Sequence, residues 1–115
     1  MKSTETPKWF LDALAQKPDI KTVKIKGSKI SYNCWGEKNK PGLIFVHGGM
    51  AHADWWNFIT PYFLKTHRVI AMNLGGMGDS EWRKEYSTET WGLEIEGVCK
   101  KEKLKKPIII GHSLG

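Results

Sequence analysis

Pro107-Ile108-Ile109-Ile110-Gly111-His112-Ser113-Leu114-Gly115 reads PIIIGHSLG, an apolar run that passes straight into a Gly-x-Ser-x-Gly pentapeptide. The run shows no polar alternation, which is the pattern of a strand covered on both faces. A serine hydroxyl is a weak nucleophile unless it is exposed, positioned and served by a base. A sharp turn at the end of a strand supplies the first two conditions by lifting Ser113 to the apex in a strained backbone conformation. The segments on either side then pass so close together that Gly111 and Gly115 carry no side chains. Such a pentapeptide also arises by chance, and its place directly after an apolar strand is what gives it weight.

The same apolar signature occurs twice upstream, at Leu43-Ile44-Phe45-Val46 and Arg68-Val69-Ile70-Ala71-Met72. Between these two runs, residues 54–64 read as a helix that Pro61 breaks or kinks. Ser87 to Lys103 reads as a longer helix, capped by Ser87 or Thr88, with Trp91, Ile95, Val98 and Cys99 on its inner face. Ahead of them, Val23 and Ile25 alternate with lysines and Ile30, Tyr32 and Cys34 alternate with polar residues. These runs flank Gly27-Ser28 and predict a β-hairpin. Thr6-Pro7 opens a short amphipathic helix over residues 7–16, with Trp9, Phe10, Ala13 and Leu14 at helical spacing, ending near Pro18. Strands alternating with helical segments predict an α/β fold: a mostly parallel sheet behind a leading antiparallel hairpin. No internal repeat or low-complexity stretch interrupts it.

Ligands in such sheets sit beyond the carboxyl ends of the strands. After the first apolar run comes His47-Gly48-Gly49-Met50, where two glycines let the backbone approach a substrate carbonyl and aim an N–H at its developing charge. With a second N–H from Leu114, Gly49 would form an oxyanion hole; the structural alternative is a plain tight turn. His47 and His52 are candidates for organising that loop or lining a pocket. Trp55, Trp56, Phe58 and Met50 are candidates for an apolar pocket or for core packing. The loop Gly75-Gly76-Met77-Gly78-Asp79-Ser80 lacks GK[ST] and the GxGxxG spacing, so it reads as a structural turn with Asp79 bonded within it.

Composition closes off other classes. The chain has 115 residues, 40% of them hydrophobic and 26% charged, with a formal charge of +6. Sixteen of the eighteen basic residues are lysine, scattered except for a cluster at residues 100–106 that suits the negative end of a helix dipole. No basic and aromatic face for nucleic acid stands out. No apolar stretch approaches the roughly 18 residues of a membrane span, and no secretory leader is visible, which predicts a cytoplasmic protein without membrane association. Cys34 and Cys99 are lone thiols and predict packing rather than a disulfide. His52 and Asp54 are too few to hold a metal, and no metal or organic cofactor is expected.

The succession LIFVHGG, HADWWNF, RVIAMNLGGMGDS and PIIIGHSLG resembles the N-terminal half of the α/β-hydrolase-fold family, in its serine-nucleophile branch. The resemblance runs from about Ile20 to the last residue. It implies an incomplete α/β-hydrolase domain over 19–115, preceded by the amphipathic helix within residues 1–18. It places Ser113 at the nucleophile position, Gly49 and Leu114 at the oxyanion amides, and His47 and Gly48 in the HG motif. Two departures stand out: Asn73 where members often carry Asp, and Met77 in a loop that often reads Gly-His-Gly. Serine at the elbow sets the chain apart from dehalogenase and epoxide-hydrolase branches, which use a carboxylate. The implied activity is hydrolysis of a small ester or related acyl substrate. Haloperoxidase-like, C–C bond hydrolase or acyltransferase chemistry, or a non-catalytic ligand-binding role, remain as alternatives.

In this family the nucleophile precedes the acid and the histidine. All four histidines here, His47, His52, His67 and His112, precede Ser113. The expectation is therefore a longer gene product, or a second polypeptide, that supplies Asp and His. The 115-residue chain alone is expected to be inactive, with Ile108, Ile109 and Ile110 forming an exposed apolar edge.

Overall fold

The computed structural model describes residues 6–49, 51–104 and 106–113. Its elements run α1 (Lys8–Ala15), β1 (Asp19–Ile25), β2 (Ser28–Trp35), β3 (Gly42–Val46), two 3-10 turns (Ala53–Trp56 and Thr60–Phe63), β4 (Arg68–Met72), α2 (Thr88–Lys101) and β5 (Ile108–Gly111). The sheet order is β1-β2-β4-β3-β5. β1 and β4 both run opposite to β2, while β3 and β5 run with β4, so only β2 is reversed. This is the expected α/β sheet with a leading hairpin.

The apolar runs become central strands because both of their faces are covered. Along β3 and β4, Ile44, Val46, Ile70 and Met72 turn to one side, where Ile30, Tyr32, Cys34, Leu74 and Val98 complete a core beneath α2. Leu43, Phe45, Val69 and Ala71 turn to the other, where Trp35, Ala53, Trp56, Phe63 and Leu64 close a second core. Each such side chain removed from water contributes about 1.5–3 kcal/mol. β5 lies at the sheet edge, and Ile108, Ile109 and Ile110 are exposed there.

Three local expectations need correction. The hairpin turns at Lys26-Gly27, one residue early, with positive φ at both positions (48° and 82°), as a two-residue primed turn requires. The helix expected over 54–64 is two short 3-10 turns, of which Trp56 and Phe63 pack on Phe45 while Trp55 and Tyr62 stay exposed. α1 begins at Lys8 with Pro7, not Thr6, at the cap position, and Trp9 and Leu14 remain largely exposed. α2 is capped as expected, with the Ser87 side chain accepting from the Thr90 N–H.

A buried ionic cluster fastens the end of α2 to three strands. Glu102 accepts from Arg68 Nη2 at 2.9 Å, from the Tyr32 hydroxyl at 2.6 Å and from Lys21 Nζ at 3.3 Å. Burial pushes the Glu102 carboxyl upward, yet the bonds from Tyr32, Arg68 and Lys21 outweigh it and hold the group below its ordinary value. A carboxylate depressed in this way stabilises the fold fully above its unfolded value of about 4.3. That contribution is lost as the pH falls through the lower folded value. In urea melts, lowering the pH from about 6 to about 3 is expected to cost the wild type more stability than it costs Glu102→Gln. Equal losses would show that the carboxylate contributes nothing.

Cys34 is buried and Cys99 half-buried, and both are free. Burial pushes the Cys34 thiol up to about 12 and raises Cys99 as well, with help there from Glu96. Since the thiolate is the reactive form, neither is expected to be alkylated at neutral pH until the chain is unfolded in urea. Rapid labelling of Cys34 in the native protein would contradict this packing.

Candidate active site

The site grows from the register of β3 and β5. Val46 pairs with Gly111, so both strands finish at the same level, and the ladder continues as the His112 N–H donates to the Val46 carbonyl at 3.1 Å. One residue on, Ser113 has φ +56° and is exposed. A left-handed backbone at a residue other than glycine is uncommon, and strain of this kind concentrates at functional positions. β5 thus runs directly into a left-handed turn at the serine.

The loop after β3 comes up against this turn. A Cβ placed on Gly48 would stand 3.0 Å from His112 Nδ1 and 3.3 Å from both the His112 carbonyl oxygen and Ser113 Cβ. A side chain at 48 would therefore have to push His112 and Ser113 aside by a few tenths of an ångström. Gly49 follows in an exposed turn. Met50 and Leu114, expected as a pocket residue and as the second oxyanion amide, lie outside the described residues.

His47 is not a pocket residue. It is fully buried, its Nε2 accepts from the Leu74 N–H at 3.0 Å, and its Nδ1 lies 2.7 Å from the Gly48 carbonyl. The Leu74 bond assigns the proton to Nδ1, which donates to Gly48. Burial lowers its pKa, against the opposing effect of the Gly48 bond, so the ring is neutral at pH 7. With both nitrogens engaged, His47 joins the loop after β3 to the loop after β4 and has no role as a base. His67 sits just before β4, at the far end of the sheet from Ser113.

The two tryptophans of the loop part company. Trp56 packs against Phe45 with ring centroids 4.8 Å apart and belongs to the core, so of its two expected roles it takes packing and not the pocket. Trp55 is exposed and stacks on His112, with centroids 6.5 Å apart and planes 23° from parallel. His52 is exposed and lines a polar cavity of about 310 Å³ together with Ile20, Asn33, Asp54, Asn73, Gly78 and Asp79. Asp79 opens into this cavity and, among the described residues, makes no side-chain hydrogen bond within its loop. The Asn73 side-chain oxygen accepts from the Ala53 N–H at 2.7 Å, a bond that Asp at the same position would also accept. Among the described residues, no three His, Cys, Asp or Glu side chains gather to hold a metal ion. None of the described helices is long and apolar enough to cross a membrane.

One feature of the site is not apparent from sequence. Glu94 of α2 is completely buried and holds the loop after β4: Oε1 accepts from the Gly75 N–H at 2.7 Å, and Oε2 pairs with Arg83 Nε at 2.8 Å. A signal does exist, since Glu94 lies three residues after Trp91 and four before Val98, within the inward stripe of α2.

The model of the alpha/beta hydrolase fold matches residues 41–115. The chain belongs to the alpha/beta hydrolase fold family. Among its relatives, human Epoxide hydrolase 4 is 26% identical over 96 residues, covering 81% of this chain and 26% of that protein. Human Serine hydrolase-like protein is 28% identical over 89 residues, covering 75% of this chain and 44% of that protein. Among solved structures, the Cif epoxide hydrolase from Acinetobacter nosocomialis superposes with a TM-score of 0.77 at 26% identity, covering 99% of this chain and 40% of that one. The chain thus spans between about a quarter and a half of the length of these family members.

Proposed function

We propose that this chain carries the nucleophile and the oxyanion loop of a serine hydrolase that cleaves a small ester or related acyl bond. The observation that carries the reading is the left-handed backbone of Ser113, at the end of β5 and so near the loop after β3 that a Cβ on Gly48 would press on it. Ser113 Oγ attacks the acyl carbon while a histidine takes its proton. The N–H groups of Gly49 and Leu114 stabilise the oxyanion, the alcohol leaves with a proton from that histidine, and water releases the acyl group. His47 is fully engaged and His67 is remote, while His52 and His112 precede Ser113 in a family whose histidine follows the nucleophile. We therefore assign the histidine and its acidic partner to residues outside this chain, in a longer polypeptide or a second one. No metal or organic cofactor enters these steps. The two free thiols favour a reducing compartment, in keeping with a cytoplasmic protein.

A second reading needs its own test because two of the relatives above are named epoxide hydrolases. A hydroxyl at the elbow weighs against it: opening an epoxide through a covalent intermediate on serine would leave an ether, which water does not release as it releases an ester. A fluorophosphonate probe decides between the readings. Applied to the full-length polypeptide, it is expected to label Ser113, as mapped by peptide mass spectrometry, and to be blocked by a preincubated ester substrate. A folded full-length protein that stays unlabelled and turns over an epoxide instead would overturn the proposal.

A further inference from the structure

We infer that Trp55 is a positioning residue, whose indole clasps His112 and so holds the oxyanion loop in register with Ser113; this rests on the serine-hydrolase reading above. His112 is approached at two points by one stretch of chain. A Cβ on Gly48 would crowd its Nδ1 and carbonyl, so the backbone there passes close by, and the Trp55 ring stacks on its imidazole with centroids 6.5 Å apart. Both contacts come from the segment that follows β3, and His112 is bonded directly to the nucleophile. A shift of that loop therefore moves residue 112, and with it the turn that carries Ser113.

Exposure distinguishes this contact from core packing. Trp55 is 55% exposed and His112 is exposed as well, whereas the neighbouring Trp56 anchors the same 3-10 turn to Phe45. The stability of the turn thus rests on Trp56, and the Trp55 ring is free to act at the site. Its contact is with the variable position of the Gly-x-Ser-x-Gly motif, not with the core. Placing a donor about 1 Å away from where the oxyanion forms can cost up to about a hundredfold in rate. A ring that fixes the loop against the elbow is therefore felt in kcat rather than in ground-state binding.

The test compares wild type, Trp55→Ala and Trp55→Phe in the full-length polypeptide, using a short p-nitrophenyl ester and NMR. Trp55→Ala is expected to lower kcat by about tenfold to a hundredfold with KM little changed and the melting temperature held. Trp55→Phe keeps an aromatic face and is expected to recover most of the rate. In the NMR spectra, Trp55→Ala is expected to shift the His112 ring protons, as the indole ring current is lost, and to displace the amide resonances of Gly49 and Ser113. A rise in KM at constant kcat would make Trp55 a substrate-pocket wall and overturn the positioning role. Unmoved His112 protons would show that the stack is absent and would overturn that role equally. An inactive wild type would defeat the hydrolase reading by itself, and the clasp would then stand or fall on whether the Gly49 and Ser113 amides move.

Discussion

Ser113→Ala is expected to abolish ester turnover by the full-length polypeptide, with kcat falling by roughly 10⁴- to 10⁶-fold. The size follows from chemistry: without the hydroxyl no acyl-enzyme forms, and only oxyanion stabilisation and substrate placement remain to assist direct attack by water. KM for the ester is expected to change little, because the ground state does not depend on the hydroxyl. The substitution is also expected to be mild for the fold. Ser113 is exposed, and its left-handed φ of +56° disfavours serine and alanine alike. Initial rates on a p-nitrophenyl ester, measured alongside a thermal melt, separate lost chemistry from lost structure. A variant that melts normally and keeps a tenth or so of the rate would show that another group is the nucleophile.

The second large effect is structural. Glu94→Ala removes a completely buried carboxylate and strands the Arg83 guanidinium, whose side chain is 8% exposed, together with the Gly75 N–H. Breaking a buried pair by deleting one partner costs about 3–5 kcal/mol, because the remaining charge is left desolvated. Arg83 is held as well by the carbonyls of Ile25 and Lys26, so the loss is expected to extend to the β1–β2 hairpin and the loop after β4. Glu94→Gln keeps an acceptor for Gly75 and is expected to fall between the two. Urea midpoints of wild type, Glu94→Ala and Glu94→Gln read this directly. A loss below about 1 kcal/mol in Glu94→Ala would mean that the pair is solvated rather than buried.

The elements legible in the sequence are those whose pattern is local. β3 and β4 show as unbroken apolar runs, and α2 shows in its Ser87 cap and the spacing of Trp91, Ile95 and Val98. The turn at Ser113 is legible because glycines at fixed offsets beside an apolar strand encode a close approach, and the Gly48 contacts supply one side of it. What stays hidden depends on partners distant in sequence. The spacing of Glu94 within the inward stripe of α2 hints that it is buried, but only the fold brings Arg83 to Glu94, and Arg68 and Tyr32 to Glu102. Trp55 and Trp56 are adjacent and alike in composition, and in a 3-10 turn no periodicity says which one faces Phe45. The hairpin turns one residue early because Lys26 adopts a positive φ that its residue type does not advertise. His47 reads as a site residue from its motif, whereas its bonds to Leu74 and Gly48 give it a role in joining two loops.

A crystal structure of the full-length polypeptide phosphonylated by a fluorophosphonate tests the central claim most directly. The expected result is phosphorus bonded to Ser113 Oγ, with its free oxygen within hydrogen-bonding distance of the N–H groups of Gly49 and Leu114. A phosphoryl oxygen pointing into solvent, away from both amides, or an adduct on any residue other than Ser113, would contradict it.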